Sequence, residues 1–354
     1  MLFIILIFYL TKSELIKDDL DYESWILKYH KEYDEKRKLI FNSNKKWIKS
    51  YNMEVNYKAL HIDNEFADID PLEFKDKYIK SHHDNKNLNF TLNKRKEVDI
   101  KQEIFKSLPE QIEWVNYMQP IQDQLNCGSC YAFAMLGAME GVIKIENNID
   151  VKLSEQYILD CSSGFIDNTC NGATVNEIAG MLINRGVIED EDYRSYFGMQ
   201  LKCKNVEEDI RYYLDNDKTE IFHGEYEYMI GLQKGPLYVH ITSDPYLTQF
   251  SAPNTIIIDP NCKNGELDHA VVLVGYGSAV IDGYVYEYWI IRNSWGTSWG
   301  TNGYGFILKG ENTCNIESEN NVAVLPRVII ETDNSPASYM KLCIFILLIF
   351  MFVL

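Results

Sequence analysis

The chain has 354 residues, 46% of them hydrophobic, enough for one large or two modest domains with a full core. Its formal net charge of −18 excludes the basic footprint that binding to nucleic acid requires. Its 8 cysteines leave three chemistries open: disulfides, a metal site or a reactive thiol.

Residues 1–13 carry the apolar run Leu2 to Leu10, followed by Thr11-Lys12-Ser13. The run is too short to span a bilayer and reads as a signal peptide. From 14 to 106 the chain turns charged and lacks cysteine. There Arg37, Phe41, Asn44, Ile48 and Asn52 recur at helical spacing along one stripe. Asn64-Glu65-Phe66-Ala67-Asp68 follows. Asn89-Phe90-Thr91 is an N-glycosylation sequon at Asn89. His82 to Gln102 is polar, lysine-rich and without periodicity, a linker open to proteolysis.

A second domain is expected over 107–325. It contains Gln124-Leu125-Asn126-Cys127-Gly128-Ser129-Cys130. The proline-free run from Cys130 to Ile145 predicts a mostly buried helix with Cys130 in its first turn. Unpaired N–H groups and the helix dipole there favour a thiolate, the nucleophilic form. The Gln124 amide and the Cys130 N–H would together form an oxyanion hole. Cys127 and Cys130 also have the spacing of a redox or zinc pair, but no second close pair accompanies them. Leu153-Ser154-Glu155-Gln156 starts a short helix, and Val175 to Gly186 suggests another. From Ile221 the pattern changes to short apolar runs: 237–241, 255–258, 270–274, 286–292 and 304–308. Turns with Gly and Pro separate them, as in an antiparallel barrel. The class is therefore α+β, with a helical lobe, a β lobe and a cleft between them.

His269, in Leu267-Asp268-His269-Ala270, heads one of these strands and would serve as the base. Asn293 ends another, where its amide can accept from the imidazole N–H and fix the tautomer; Trp295 would shield that bond. Residues 326–354 form a tail. Asn334 to Lys341 precedes the wholly apolar Leu342 to Leu354, short against the roughly 20 residues of a spanning helix. Either a GPI signal or a single short span fits, attaching the chain to a membrane.

The Cys130, His269 and Asn293 stretches, in that order, resemble the papain-like cysteine proteases. The resemblance covers roughly Asp21 to Val324. It implies a two-lobed fold behind a helical inhibitory pro-region, and a secreted or membrane-attached zymogen of an endopeptidase acting on proteins and peptides. It implies Cys130 as nucleophile, His269 as base and acid, Asn293 as orienter and Gln124 as oxyanion donor. No cofactor or metal is called for, and a monomer is expected. Spacing does not choose among the pairings of Cys127, Cys161, Cys170, Cys203, Cys262 and Cys314; the resemblance implies Cys127–Cys170, Cys161–Cys203 and Cys262–Cys314, and with them a secretory route. Such enzymes sit at the cell surface, outside the cell or in lysosome-like vesicles, and the tail is similar to that of membrane-attached cysteine proteases of parasitic amoebae.

The Arg37–Asn52 stripe and the Asn64–Asp68 segment match pro-region signatures of cathepsin L-like enzymes. Tyr33 stands where the first signature has Glu, and Ile62 where the second has Gly. In the catalytic domain Tyr131 replaces the usual Trp, and Ala173 the second Gly of Cys-Asn-Gly-Gly. These departures leave a catalytically weak, membrane-bound adhesion or binding protein as the alternative. The substrate cleft is implied to include Gly172, Ala173, Asp268 and Trp295. The pocket for the second residue before the scissile bond is implied to be lined by Thr174, Val175, His240, Leu267, Ala270 and Glu319. Glu319 implies a preference for Arg there.

Overall fold

The computed structural model describes residues 20–54, 62–79, 108–206, 210–243, 255–258, 262, 265–281 and 283–332. Residues 1–13, read above as a signal peptide, the expected linker with Asn89 and the apolar tail lie outside the described residues. Among the described residues no helix is long and apolar enough to cross a membrane.

The pro-region is built from helices α1 (Tyr22–Lys28), α2 (Glu35–Glu54) and α3 (Pro71–Tyr78). Asp21 and Asp70 cap α1 and α3, each carboxylate accepting from an N–H of the first turn. The stripe on α2 faces inward. Phe41 and Ile48 are buried, and Asn44 Nδ2 donates to Ala67 O (3.0 Å) and Ile69 O (2.9 Å). That amide fastens the second signature segment to the helix. Tyr33 bonds Glu35 (2.5 Å), and Arg37 instead forks onto both carboxylate oxygens of Glu73 in α3 at 2.7 Å each. Ile62 is buried, so the glycine position has become part of the core.

The catalytic unit opens with the two-residue strand β1 (Ile112–Glu113). Helix α4 (Cys130–Asn147) is buried on every side as far as Ile143, as an apolar run without a polar face requires. Helix α5 (Glu155–Cys161) starts at Ser154, whose hydroxyl accepts from Tyr157 N–H. Helix α6 (Val175–Asn184) starts in a capping box between Thr174 and Glu177. Its C-terminal turn ends at Gly186, whose φ of +69° suits glycine.

The β lobe is an eight-stranded sheet. After β2 (Ile210–Leu214), which lies outside it, come β3 (Glu220–Phe222), helix α7 (Gly224–Leu232), β4 (Leu237–Ile241), β5 (Ile256–Ile257), β6 (His269–Ile281), β7 (Tyr284–Arg292), β8 (Tyr304–Leu308) and β9 (Ala323–Leu325). The order is β3-β9-β4-β6-β7-β8-β5, with β1 also on β6. All pairs are antiparallel except β5 with β8, which is parallel and corrects the expectation of a wholly antiparallel barrel. The β6–β7 hairpin is longer than its apolar runs predict, because the extra residues pair with each other rather than with the core. A further strand, β10 (Val328–Thr332), pairs with β2 beyond the Leu325 boundary. Its sequence alternates less clearly because it is half-exposed.

Two cores result. One fills the helical lobe between α4, α5, α6 and one face of β6. The other joins the β lobe to the pro-region in a single apolar body, continuous through Phe74, which meets Trp295 edge-on at 5.1 Å. Disulfides link Cys127 to Cys170, Cys161 to Cys203 and Cys262 to Cys314.

The Arg37 fork holds the Glu73 carboxyl down to about 2, with Lys77 assisting. A depressed carboxyl stabilises the fold above its ordinary value of 4.5 and loses that contribution as pH falls through about 2. Glu73→Gln in a Cys130→Ser chain should therefore lower stability at pH 5 by about 1–3 kcal/mol. The gap should close toward pH 2. Urea midpoints measure it, and identical midpoints at pH 5 would contradict the pairing.

Candidate active site

Cys130 is the first residue of α4, and its sulfur lies where the amides of Ala270 and Tyr131 point. His269 opens β6, whose register against β4 sets Ala270 opposite His240 and His269 opposite Ile241. The imidazole Nε2 lies 2.8 Å from Asn293 Oδ1. That oxygen also accepts from Ser294 N–H at 2.8 Å, which fixes the amide orientation. An amide oxygen only accepts, so Nε2 carries the proton and Nδ1 is the basic nitrogen. Nδ1 is buried with no hydrogen-bond partner. Trp295 stacks on the imidazole at 4.4 Å and closes the His269–Asn293 bond from solvent.

Gln124 is buried. Its Oε1 accepts from Ser294 Oγ (2.7 Å), and its Nε2 donates to Cys127 O (2.9 Å) and to Tyr78 O (3.0 Å). The second acceptor belongs to the pro-region. A pro-region carbonyl thus occupies the amide that the sequence reading aims at an oxyanion. Lys75, one turn earlier, sets its ammonium 3.4 Å from Asp268, the residue before His269. Glu65 accepts from Ser298 Oγ at 2.7 Å just past Trp295. The pro-region therefore crosses the cleft over both halves of the site.

Burial sets the electrostatics of the site. Burial pushes the Cys130 thiol up to about 11, against the pull of the Ala270 and Tyr131 amides. Burial also pushes His269 down to about 4, its Asn293 bond working the other way. Both groups are neutral at pH 7 in this form. The thiolate expected from the helix N-terminus is thus overridden by exclusion of water. Cys127 is consumed by its disulfide, so among the described residues Cys130 is the free thiol and it has no dithiol partner.

Gly172 (φ +89°) and the buried Ala173 lead into Thr174 and Val175 at the start of α6. On β4, His240 Nε2 bonds Tyr238 OH (2.9 Å). Ala270 is buried and Leu267 half-buried. Asp268 is buried and accepts from Ser243 N–H (2.7 Å) and Oγ (2.6 Å). Glu319 is exposed, on a turn that Asn321 fastens to His240 O (2.7 Å). Two contributors escaped the sequence reading. Ser294 was readable, as the neighbour of Asn293. Ser243 was not, because nothing in its local sequence points to Asp268.

A buried thiol, an imidazole locked by an amide, and a cleft between two lobes under a covering segment define a cysteine peptidase in zymogen form. The chain belongs to the papain family of cysteine proteases, whose profile matches residues 108–324. Cysteine proteinase 2 of Entamoeba histolytica is 32% identical over 320 residues, covering 86% of this chain and 94% of that protein. The recombinant stem bromelain precursor has a similar structure at 25% identity, with a TM-score of 0.69 over 86% of this chain and 97% of the other. Digestive procathepsin L 3 of Tenebrio molitor larval midgut shares the fold, with a TM-score of 0.67 at 24% identity over 86% and 97% of the two chains. The protein is a papain-like cysteine endopeptidase with an attached pro-region.

With the pro-region in place, Cys130 should resist alkylation by iodoacetamide from pH 5 to 9, since the thiol ionises only near 11. Removal of the pro-region should raise the labelling rate at pH 7 by more than about tenfold. Mass spectrometry of the Cys130 peptide measures both, and equal rates would show that burial does not hold the thiol neutral.

Proposed function

We propose that Cys130, His269, Asn293 and Gln124 carry peptide hydrolysis through a thiol acyl-enzyme. The observation that carries the reading is the His269–Asn293 bond at 2.8 Å under Trp295, which leaves Nδ1 as the basic nitrogen of the residue next to Ala270, whose amide faces the Cys130 sulfur. Nδ1 takes the thiol proton and the sulfur attacks the scissile carbonyl. The oxyanion accepts from Gln124 Nε2–H and Cys130 N–H. Collapse breaks the C–N bond, and the proton on Nδ1 goes to the leaving amine. Nδ1 then takes a proton from water, hydroxide attacks the thioester, and the released thiol recovers its proton. The partners are protein and peptide substrates.

The domain reading is a signal peptide over 1–13, an inhibitory pro-region over 14–106, a catalytic domain over 107–325 and a tail from 326. The Tyr78 carbonyl on Gln124 supports the inhibitory role, since it fills the oxyanion donor. Glu73 supplies the acid that Tyr33 lacks. The disulfides support passage through the secretory pathway to the cell surface, the exterior or a lysosome-like vesicle. Membrane attachment rests on the apolar 342–354 sequence alone. Glycosylation at Asn89 rests on its sequon.

The same reading gives Arg at the second position before the scissile bond. Glu319 offers the guanidinium a carboxylate on the turn joined to the His240 strand. Protonated His240 would oppose it in acid.

Cys130→Ala and His269→Ala should each abolish hydrolysis after maturation, while Asn293→Ala should reduce it less because it only orients the base. Glu319→Gln should lower the kcat/KM ratio of a matched Arg/Leu substrate pair; an unchanged ratio removes Glu319 from the pocket. Deletion of 342–354 should release active enzyme into the medium, whereas an equally soluble full-length chain with its tail intact would contradict the anchor.

A further inference from the structure

The β6–β7 hairpin runs on beyond the rest of the sheet. Strand β4 follows β6 as far as Leu273, β1 pairs with it as far as Tyr276, and β8 takes up β7 at Tyr288. Past those points Ser278 pairs with Glu287, Ala279 with Tyr286, Val280 with Val285 and Ile281 with Tyr284. No further strand joins them among the described residues. At roughly 3.4 Å per residue the ribbon projects about 14 Å. The residues between its last pair are Asp282-Gly283, with Gly283 at φ +85°, which is two-residue hairpin chemistry.

The side chains do not suit a ribbon in water. Paired residues share a face, and the faces alternate along each strand. One face of the tip carries Val280 and Val285, the other Ile281 and Tyr284. A solvated strand alternates apolar with polar, whereas apolar residues on both faces are the pattern of a strand buried on both. Here Val280 is 66% exposed, Tyr284 71% and Val285 68%. A flat protein partner covers one face of a ribbon. A medium that encloses the tip covers both, and lipid is such a medium. Charge narrows the choice further. From Ser278 to Ile291 there is no Lys or Arg, and the chain carries a net charge of −18. Anionic headgroups therefore repel it, and a zwitterionic bilayer does not. Tyr284 suits the boundary of such a layer, with an apolar ring and a wet hydroxyl.

The ribbon also points the right way. His269 opens β6 at the site and Ile281 closes it, roughly 40 Å of strand further on. Helix α4 leaves Cys130 alongside, since a Cβ added to Gly137 would lie 3.2 Å from Val272 Cγ2. The tip is thus at the end of the molecule remote from the cleft. Glu146, in the last turn of α4, pairs with Arg327, from which the chain continues through β10 to Thr332. Residues 333–341 separate Thr332 from the apolar 342–354 sequence, a reach of about 30 Å. A bilayer that held that sequence would lie within this distance of Thr332. For the nearness of a bilayer, the inference rests on the membrane reading above.

We propose that the tip of the β6–β7 hairpin, with Val280, Tyr284 and Val285 foremost, inserts into the interfacial layer of a zwitterionic bilayer and holds the protein with its cleft turned away from the lipid.

The test uses the Cys130→Ser chain lacking 342–354, a deletion that removes none of the described elements, and flotation with phosphatidylcholine vesicles. This chain should float with the vesicles, equally in 0.05 and 0.5 M NaCl. Val280→Asp/Val285→Asp should lower the partition coefficient at least about tenfold, and Tyr284→Ser should lower it by a smaller factor. Both variants should melt as the parent does, because the residues changed lie outside the cores. A parent chain that does not float overturns the proposal. So does binding that both variants retain, or binding that high salt abolishes. A parent chain that sediments as a dimer, is split by the tip variants and ignores the vesicles also overturns it, in favour of a second copy as the occupant. Because the tail is absent from every chain compared, its failure as an anchor would leave these outcomes unchanged.

Discussion

From His269 to Gly277 strand β6 is buried on both faces, and the rest of the structure depends on that constraint. Its side chains alternate, so Val271 and Leu273 enter the β-lobe core while Ala270, Val272 and Val274 enter the helical-lobe core. A slip of one residue would exchange the two sets and take His269 off the face where Trp295 and Asn293 hold it. The register is pinned further along. A bulge separates Leu273 from Gly275, and a Cβ on Gly275 would sit 2.1 Å from Ile112 O. The closeness of β1 thus demands glycine there. The placement of His269 is a by-product of one strand serving two cores.

The pro-region exploits that arrangement by extending one of the cores. Phe74 stacks on Tyr78, Phe66 meets both edge-on, and Phe74 continues the cluster to Trp295 and Trp299. Inhibition is then largely a matter of hydrophobic burial, with a few polar contacts for register. The same burial removes water from Cys130 and His269 and holds both neutral. Activation has to restore water and field to the site as well as open a path for substrate. The helix terminus that favours a thiolate acts only once the cover is gone.

Buried charge packs the helical lobe behind the site, and Arg292 reaches it from the β lobe. Lys152 Nζ reaches Glu155 at 2.7 Å and Glu140 at 3.2 Å, and Glu140 also accepts from Leu153 N–H at 2.8 Å. Arg292, next to Asn293, donates to Pro120 O at 2.9 Å and lies close against Gly137 of α4. Removing one member of such a buried set leaves an uncompensated charge, at a cost of about 3–5 kcal/mol. Arg292 ties the strand end before Asn293 to the helix that begins at Cys130.

The sequence by itself determined the elements whose signals are local. The apolar run from Cys130, the Ser154 and Thr174 caps and the strands 237–241 and 304–308 all follow from periodicity and capping, which act over a few residues. The order of Cys130, His269 and Asn293 was legible because each sits at the end of such an element. Only the tertiary structure decided what depends on distant chain. The Arg37–Glu73 fork, the Ser243–Asp268 bond, the parallel β5–β8 pair and β10 on β2 join residues that carry no local mark of each other. The ionisation of the site belongs to the same class. A helix terminus can be read from sequence, but the water that burial excludes is a property of everything packed around it.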